Sequence, residues 1–251
     1  MIKQYKISVP KSTLNEIYKK VRNFPWSAAQ NMNGWEYGTN LNYLKSISKY
    51  WITKYDWKKF ENKINSLKNY RTKVEDINLH FIFEKSKNPN SRPLLLLHGW
   101  PGSITEFLDI IPRLAHPEKY GGKIEDGFDV IVPSLPGFGF SSQIKKALGP
   151  RKIGKILNKF MVKNLGYKNY FVQGGDWGAT IAGWIGLDSS KNCKGIHINC
   201  LPLRHPKGPK NSKEKKWEKK FNFDQIMQEG YRTQQATKPQ TLSYAMIDSP
   251  V

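Results

Sequence analysis

Four short apolar runs in the middle of the chain alternate with segments of helical spacing. The runs are LLLL at residues 94–97, FDVIVP at 128–133, NYFVQ at 169–173 and GIHINC at 195–200. Strands that are buried on both faces have this length and this near-continuous apolar character. One intervening helix has its inward face at Ile153, Ile156, Leu157, Phe160 and Leu165, and stops at Gly166. The alternation predicts an α/β fold with a mostly parallel sheet, flanked by helices and joined by right-handed crossovers.

The first 73 residues predict a helical region that is rich in aromatic rings. A first helix is indicated before Pro25, and we expect Thr13 and Glu16 to cap it as a capping box. The rings that follow are Trp35, Tyr37, Tyr43, Tyr50, Trp51, Tyr55 and Trp57. We expect them to pack against a larger body rather than to bind a cofactor.

Between Val74 and Phe83 the apolar residues Ile77, Leu79, Phe81 and Phe83 alternate mostly with polar residues, which predicts a strand. A lysine-rich segment with no strand pattern begins at Arg204. The predicted organisation is therefore an N-terminal region at 1–73, an α/β core at 74–203 and a partial lid at 204–251.

The formal net charge of the chain is +21, which raises the question of an anionic partner. The lysines are spread along the whole chain, and arginines do not alternate with aromatic residues as in nucleic-acid binders. We therefore expect no nucleic-acid partner. Cys193 and Cys200 have no metal-ligand spacing, so we expect neither a metal nor a cofactor. The first residues lack the apolar core of a signal peptide, which predicts a cytoplasmic protein without a membrane anchor.

The segment FVQGGDWGAT, residues 171–180, places an aspartate in a tight turn between a strand and a helix. Gly174 and Gly178 leave room around Asp176, so that its side chain stands clear above the sheet edge. A carboxylate in this position suits attack on an electrophilic sp³ carbon, which forms an alkyl-enzyme ester. A glycine-rich turn without chemistry is the alternative interpretation.

The segment HGWPGS, residues 98–103, follows the LLLL strand and opens a helix that Ser103 and Glu106 are expected to cap. Its backbone N–H groups should therefore reach the same sheet edge as the turn at Asp176. We expect the N–H groups of Trp100 and Trp177 to form an oxyanion hole.

Three residues of HGWPGS are expected to shape this loop rather than to react. His98 comes directly after a buried strand, so we expect it to brace the turn. Gly99 and Pro101 complete the turn, and the Trp100-Pro101 bond is expected to be cis.

Several of these segments together resemble one known family. HGWPGSITEFLDIIPRL, FDVIVPSLPGFGFS and QGGDWGA are similar to the α/β-hydrolase-fold epoxide hydrolases of the microsomal type, and the aromatic segment resembles the N-terminal region of that branch. The resemblance implies that Asp176 opens an epoxide and that Trp100 and Trp177 form the oxyanion hole. It also implies that Tyr231, in the lid segment GYRTQQATKPQTLSYAMIDSPV, donates a hydrogen bond to the epoxide oxygen.

The chain departs from that family after the lid segment. The family activates water with a histidine, oriented by an aspartate or glutamate, on strands beyond the lid. We expect this chain to lack both residues and the last core strands, which would leave a sheet edge exposed. His205 is considered as a substitute base. The expected outcome is an enzyme that is inactive or that stalls at the ester.

Four functions are compatible with these residues. The first is an epoxide hydrolase that forms a vicinal diol from a small-molecule epoxide. The second is a haloalkane dehalogenase-like hydrolase, which uses the same aspartate and would release halide. The third is a non-catalytic remnant or a binder with a positive surface, whose retention on an anionic matrix would depend on salt. The fourth is a single-use epoxide scavenger that stops at the ester. Oligomeric state stays open.

Overall fold

A computed structural model of the chain describes residues 1–32, 34–200 and 206–251 and contains two compact units. The first unit comprises Met1–Ser8 and Lys58–Pro202, and the second comprises Val9–Trp57 and Leu203–Val251. The predicted boundary between residues 203 and 204 lies outside the described residues. The division into three regions stays a prediction.

The first unit contains a seven-stranded sheet with the spatial order β1-β2-β3-β5-β4-β6-β7. Its strands are β1 (Lys3–Gln4), β2 (Asn69–Val74), β3 (Ile77–Glu84), β4 (Arg92–Leu97), β5 (Phe128–Pro133), β6 (Tyr170–Gly174) and β7 (Cys193–Ile198). The pairs from β1 to β3 and from β3 to β5 are antiparallel. The four strands β5, β4, β6 and β7 are parallel. The predicted α/β fold is confirmed.

The described part of the chain contains nine α-helices. They are α1 (Lys11–Arg22), α2 (Leu41–Thr53), α3 (Trp57–Asn65), α4 (Ile111–Ala115), α5 (Pro150–Lys159), α6 (Trp177–Asp188), α7 (Ser212–Gln228), α8 (Gly230–Thr237) and α9 (Pro239–Asp248). Shorter 3-10 turns lie at Trp26–Ala28, Ile104–Phe107, Pro117–Tyr120 and Ile124–Asp126, and a π-helical turn at Phe160–Asn164 continues α5.

Two hydrophobic clusters cover the two faces of the sheet in the first unit. Leu95 and Leu97 of β4 belong to a cluster with buried residues of α5 and α6. Leu96, between them, belongs to a second cluster with α4 and the turn Ile104–Phe107. Successive side chains of a strand point to opposite faces, which explains this alternation. The leucine run is apolar throughout because both faces are covered.

The strand predicted between Val74 and Phe83 is confirmed as β3, which pairs with β2 in a hairpin. β2 ends at Val74, β3 begins at Ile77, and Glu75 has a positive φ of 56° in the turn between them. The two strands pair antiparallel, with Val74 opposite Ile77. The alternation of Ile77, Leu79, Phe81 and Phe83 lies within β3, and the two consecutive polar residues Glu75 and Asp76 interrupt it at the turn.

Two expectations about the N-terminal region are wrong. Helix α1 begins after Pro10 without a side-chain cap, so Thr13 lies inside the helix and makes no capping box. The aromatic rings are largely exposed rather than packed, with Trp35 at 60% and Tyr37 at 74%. Trp35 contacts Tyr43 at a centroid distance of 5.2 Å, so rings in this region pair with one another at the surface.

A bilayer crossing needs about 20 predominantly apolar residues in one helix. Among the helices of residues 1–32, 34–200 and 206–251, none is both long and apolar enough to meet this requirement.

A buried histidine connects β3 to the loop after β5. His80 is fully buried, and its ring nitrogens contact Ser134 Oγ at 2.9 Å and Asn69 Oδ1 at 3.0 Å. Asn69 donates its amide hydrogens to backbone carbonyls, which leaves Oδ1 as an acceptor and places the ring proton on Nε2. Burial, with the Arg71 charge, lowers the pKa of His80 to about 3. The neutral ring is therefore the folded form.

We predict that this histidine makes stability fall on mild acidification. The unfolded chain binds a proton near pH 6.5 while folded His80 does not, so its contribution is complete above pH 6.5 and is lost as pH falls below it. The free energy of unfolding should drop by about 2 kcal/mol between pH 7 and pH 5. Urea titrations at both pH values measure this, and His80→Gln should show a drop smaller by that amount. An equal drop in both proteins would contradict the prediction.

Candidate active site

A two-residue turn joins β6 to α6. Gly174 ends the strand, Trp177 begins the helix, and only Gly175 and Asp176 lie between them. Asp176 has a φ of 49° and a ψ of −123°, a conformation that residues with a side chain rarely adopt. Strain of this kind persists only where the surroundings impose it, and such outliers concentrate at functional sites. The turn has the form of a nucleophile elbow.

The elbow depends on very close backbone contacts on both sides of Asp176. A Cβ atom added at Gly178 would overlap with the carbonyl oxygen of Leu97. A Cβ atom added at Gly174 would overlap with the carbonyl oxygen of Gly178. The first turn of α6 therefore lies directly against the end of β4, which only glycine permits.

The loop after β4 reaches the aspartate through its backbone. The N–H of Trp100 donates to Asp176 Oδ1 at 3.0 Å. Gly99 lies against the same carboxyl group, because a Cβ atom there would overlap with Oδ1. The bond between Trp100 and Pro101 is cis, as the sequence predicted. Two segments far apart in sequence thus meet at one carboxylate.

The remaining predicted site residues lie in the two different units of the chain. Trp177 is the first residue of α6, so its N–H lies outside the hydrogen-bond ladder of the helix. Its side chain is 50% exposed, and that of Trp100 is 36% exposed. Tyr231 is the second residue of α8 in the second unit and is 65% exposed. The roles of these residues stay predictions.

His98 is buried between the loop and the segment after β5. Its Nδ1 lies 2.9 Å from the carbonyl oxygen of Gly99, and its Nε2 accepts the N–H of Leu135 at 3.1 Å. Nδ1 therefore carries the proton and donates to Gly99. Burial lowers the pKa of His98, although the Gly99 bond opposes the shift. A neutral ring with both nitrogens engaged holds the loop and has no free nitrogen for a proton transfer.

Glu106 brings a second carboxyl group to the loop, and the sequence did not indicate its position. Ser103 caps the short turn Ile104–Phe107 by accepting from the N–H of Thr105 at 3.3 Å, not from Glu106. Burial raises the pKa of Glu106, the nearby backbone of Gly99 and Ser103 opposes this shift, and the charge of Asp176 raises the pKa further. The capping pattern was the only sequence signal that concerned Glu106.

Two further expectations concern a metal and a substitute base. No group of three or more histidine, cysteine, aspartate or glutamate side chains in them is arranged to hold a metal ion. His205, considered as a substitute base, lies outside the described residues.

Comparisons with known proteins connect this geometry to a family. The family model described as "Epoxide hydrolase N terminus" matches residues 2–107, and the model "alpha/beta hydrolase fold" matches residues 92–245. The chain belongs to the α/β-hydrolase-fold epoxide hydrolases of the microsomal type. The residues matched by the second family model include the elbow and the loop that contacts it.

Curated relatives of this epoxide hydrolase family match almost all of the chain. A putative epoxide hydrolase of Stigmatella aurantiaca is 38% identical in an alignment that covers 99% of this chain and 57% of the relative. Epoxide hydrolase 1 of Oryctolagus cuniculus is 34% identical and is matched over 100% of this chain and 60% of its own length. The chain therefore spans less than two thirds of these relatives.

Solved structures of epoxide hydrolases have a similar fold. The Aspergillus niger epoxide hydrolase matches with a TM-score of 0.87 and 27% identity, over 100% of this chain and 66% of that protein. The juvenile hormone epoxide hydrolase of Bombyx mori matches with a TM-score of 0.87 and 29% identity, over 100% of this chain and 63% of that protein.

We predict that the elbow does not tolerate a side chain at Gly178. The added methyl group would meet the Leu97 carbonyl, so α6 must move away from β4, and overpacking of this kind costs about 1–3 kcal/mol. Gly183→Ala in the same helix is the matched control, because a Cβ atom there meets nothing within 4 Å. That control should be neutral or more stable by up to about 1 kcal/mol. Denaturant unfolding compares the two, and equal stabilities would contradict the prediction.

Proposed function

We propose that this chain carries the nucleophile elbow of an epoxide hydrolase and that its partner is a small-molecule epoxide. The observation that carries the proposal is the hydrogen bond from the Trp100 N–H to Asp176 Oδ1, made across a strained turn. It orients a carboxylate at the carboxyl edge of the parallel strands, where α/β proteins bind ligands. The names of the relatives support the same reaction.

In the first step, an oxygen of Asp176 attacks one carbon of the epoxide ring. The carbon–oxygen bond of the ring breaks, and a hydroxyalkyl ester of Asp176 forms. The leaving oxygen takes a proton from the hydroxyl of Tyr231, because an alkoxide leaves poorly unless it is protonated as the bond breaks.

In the second step, water attacks the carbonyl carbon of the ester. The oxygen of the tetrahedral intermediate becomes negative and accepts from the N–H groups of Trp100 and Trp177. Collapse of the intermediate breaks the ester bond, and the departing oxygen takes the proton that a base removed from the attacking water, which gives the vicinal diol. The carboxylic acid left on Asp176 loses its proton and the Tyr231 phenolate regains one, which restores both groups. A base must take a proton from the attacking water, and we assign this role to none of the described residues. Ester and diol therefore have to be measured separately.

We predict that Asp176 is required for any covalent reaction with an epoxide. Incubation with excess aryl epoxide should give a mass increase of one epoxide on the peptide that contains Asp176, or diol if the ester is hydrolysed. Asp176→Asn should lower both by about a thousandfold or more, because the nucleophile is removed. Asp126→Asn, at an exposed aspartate of the same unit, is the control and should react like the parent protein. Intact-protein and peptide mass spectrometry measure the ester, and chromatography measures the diol.

Each outcome of this experiment has a distinct meaning. A stable adduct without diol would indicate a reaction that stops at the ester. Diol without a stable adduct would indicate that a base completes the cycle. A folded protein that forms neither product would rule out the proposed function. An adduct that persists in Asp176→Asn would place the nucleophile elsewhere.

We predict that Tyr231 assists ring opening. Tyr231→Phe removes only the hydroxyl and should slow alkylation of Asp176 by about a hundredfold, which is the lower range for a general acid. Tyr244→Phe is the matched control, since Tyr244 is 64% exposed in α9 of the same unit and Tyr231 is 65% exposed in α8. The rate of adduct or diol formation is measured under single-turnover conditions. Equal rates for the two variants would exclude Tyr231 as the acid.

A further inference from the structure

Five hydrogen bonds in series connect strand β3 to the carboxylate of Asp176, and the first three lead to a histidine ring. The backbone N–H of His80 donates to Ser141 Oγ at 3.0 Å. The Ser141 hydroxyl donates to the carbonyl oxygen of Ser134 at 2.7 Å. That carbonyl belongs to the same peptide group as the N–H of Leu135, which donates to His98 Nε2 at 3.1 Å.

The last two bonds of the series run from His98 to Asp176. Because Nε2 accepts, Nδ1 carries the ring proton and donates to the carbonyl oxygen of Gly99 at 2.9 Å. This carbonyl shares one peptide group with the N–H of Trp100, which donates to Asp176 Oδ1 at 3.0 Å. Every donor points along the series toward Asp176, so each bond polarises the next and strengthens it by about 10–30%.

A tight loop after β5 brings Ser141 back onto Ser134. Gly139 has a positive φ of 51°, and a Cβ atom there would lie only 3.2 Å from Ser134 Oγ. Phe138, in the same loop, packs against the ring of His98 with the centroids 5.4 Å apart. The loop therefore contacts His98 both through a ring and through a hydrogen bond, and the Ser141 hydroxyl closes it.

We propose that Ser141 is a positioning residue for Asp176. Its hydroxyl fixes the peptide group that holds His98, and His98 in turn holds the Trp100 N–H. The role of Ser141 rests on the proposed function of Asp176. Ser141 acts through the series of hydrogen bonds and not on the epoxide.

The series fixes which oxygen of the carboxylate attacks and in which direction it points. Asp176 Oδ1 accepts from Trp100, so Oδ2 is the oxygen that attacks the epoxide carbon. Without the Ser141 hydroxyl, the Ser134 carbonyl loses its donor, and the peptide group that holds His98 can tilt. A misplacement of about 1 Å at a reacting centre costs about a hundredfold in rate, and we expect a smaller loss here because Ser141 lies several bonds away.

The test replaces the hydroxyl and measures alkylation of Asp176 by excess aryl epoxide under single-turnover conditions. Ser141→Ala should lower the limiting rate constant by about threefold to tenfold. The half-saturating epoxide concentration should be unchanged, because Ser141 does not bind the epoxide. Ser141→Thr keeps a hydroxyl in the same position and should recover most of the lost rate.

Ser142→Ala is the matched control for Ser141→Ala. Ser142 Oγ accepts the N–H of Asn78 at 3.1 Å, so this hydroxyl also ties the loop to β3 but lies outside the series that leads to His98. Its removal should leave the alkylation rate at the parental value. Equal rates for Ser141→Ala and Ser142→Ala would overturn the proposal. So would a loss of folded protein in Ser141→Ala with an unchanged rate per folded molecule.

Nuclear magnetic resonance of the protein without epoxide separates this proposal from the proposed function. In protein labelled with ¹⁵N-histidine, the Nε2 signal of His98 reports the bond from Leu135. That signal should shift in Ser141→Ala and keep its parental position in Ser142→Ala. A parental signal in both variants would reject the positioning role, whatever the reactivity of Asp176. A shift in Ser141→Ala, combined with a parent protein that no epoxide alkylates, would support the series of bonds and reject the function of Asp176.

Discussion

The first turn of α6 lies on the end of β4 with no side chain between the two backbones. Gly178 makes this approach possible, because any Cβ atom there would meet the carbonyl of Leu97. The approach places Asp176 above the sheet edge and within reach of the loop that leaves β4. The hydrogen bond from Trp100, the contact with Gly99 and the strained backbone of the elbow all depend on it. The position of Asp176 is thus determined by how closely the two backbones pack.

A backbone group also supplies the hydrogen bond at the elbow. The chain has a formal charge of +21, yet the donor that the structure gives to Asp176 is the backbone N–H of Trp100. Such dipoles are fixed by the fold and need no reorganisation when charge moves. A lysine in the same place would attract the carboxylate more strongly. The excess of lysine therefore says little about the chemistry of this chain.

Much of the fold could be predicted from the sequence because its signals are local. Strand lengths, helical spacing and the glycines around Asp176 each lie within about ten residues, and they indicated the parallel strands and the turn. Strand β2 was missed because four of its six residues are polar, and the exposure of Trp35 was missed because composition does not report burial. The position of Glu106 beside Asp176 could not be predicted, since it depends on how β4 and β6 pair. Local sequence patterns do not indicate contacts between segments that are distant in the chain.

The bond between Trp100 and Asp176 joins residues that are 76 positions apart in the chain. Contacts of such separation form slowly in folding, because a long loop must close before they can stabilise anything. Helices α5 and α6 can begin to form from local interactions, but the parallel pairing of β4 with β6 must come before the carboxylate meets its donor. An incompletely folded chain can therefore contain much of its helical structure and still lack the hydrogen bond that orients Asp176. Helical content is a poor measure of how much of a sample contains this contact.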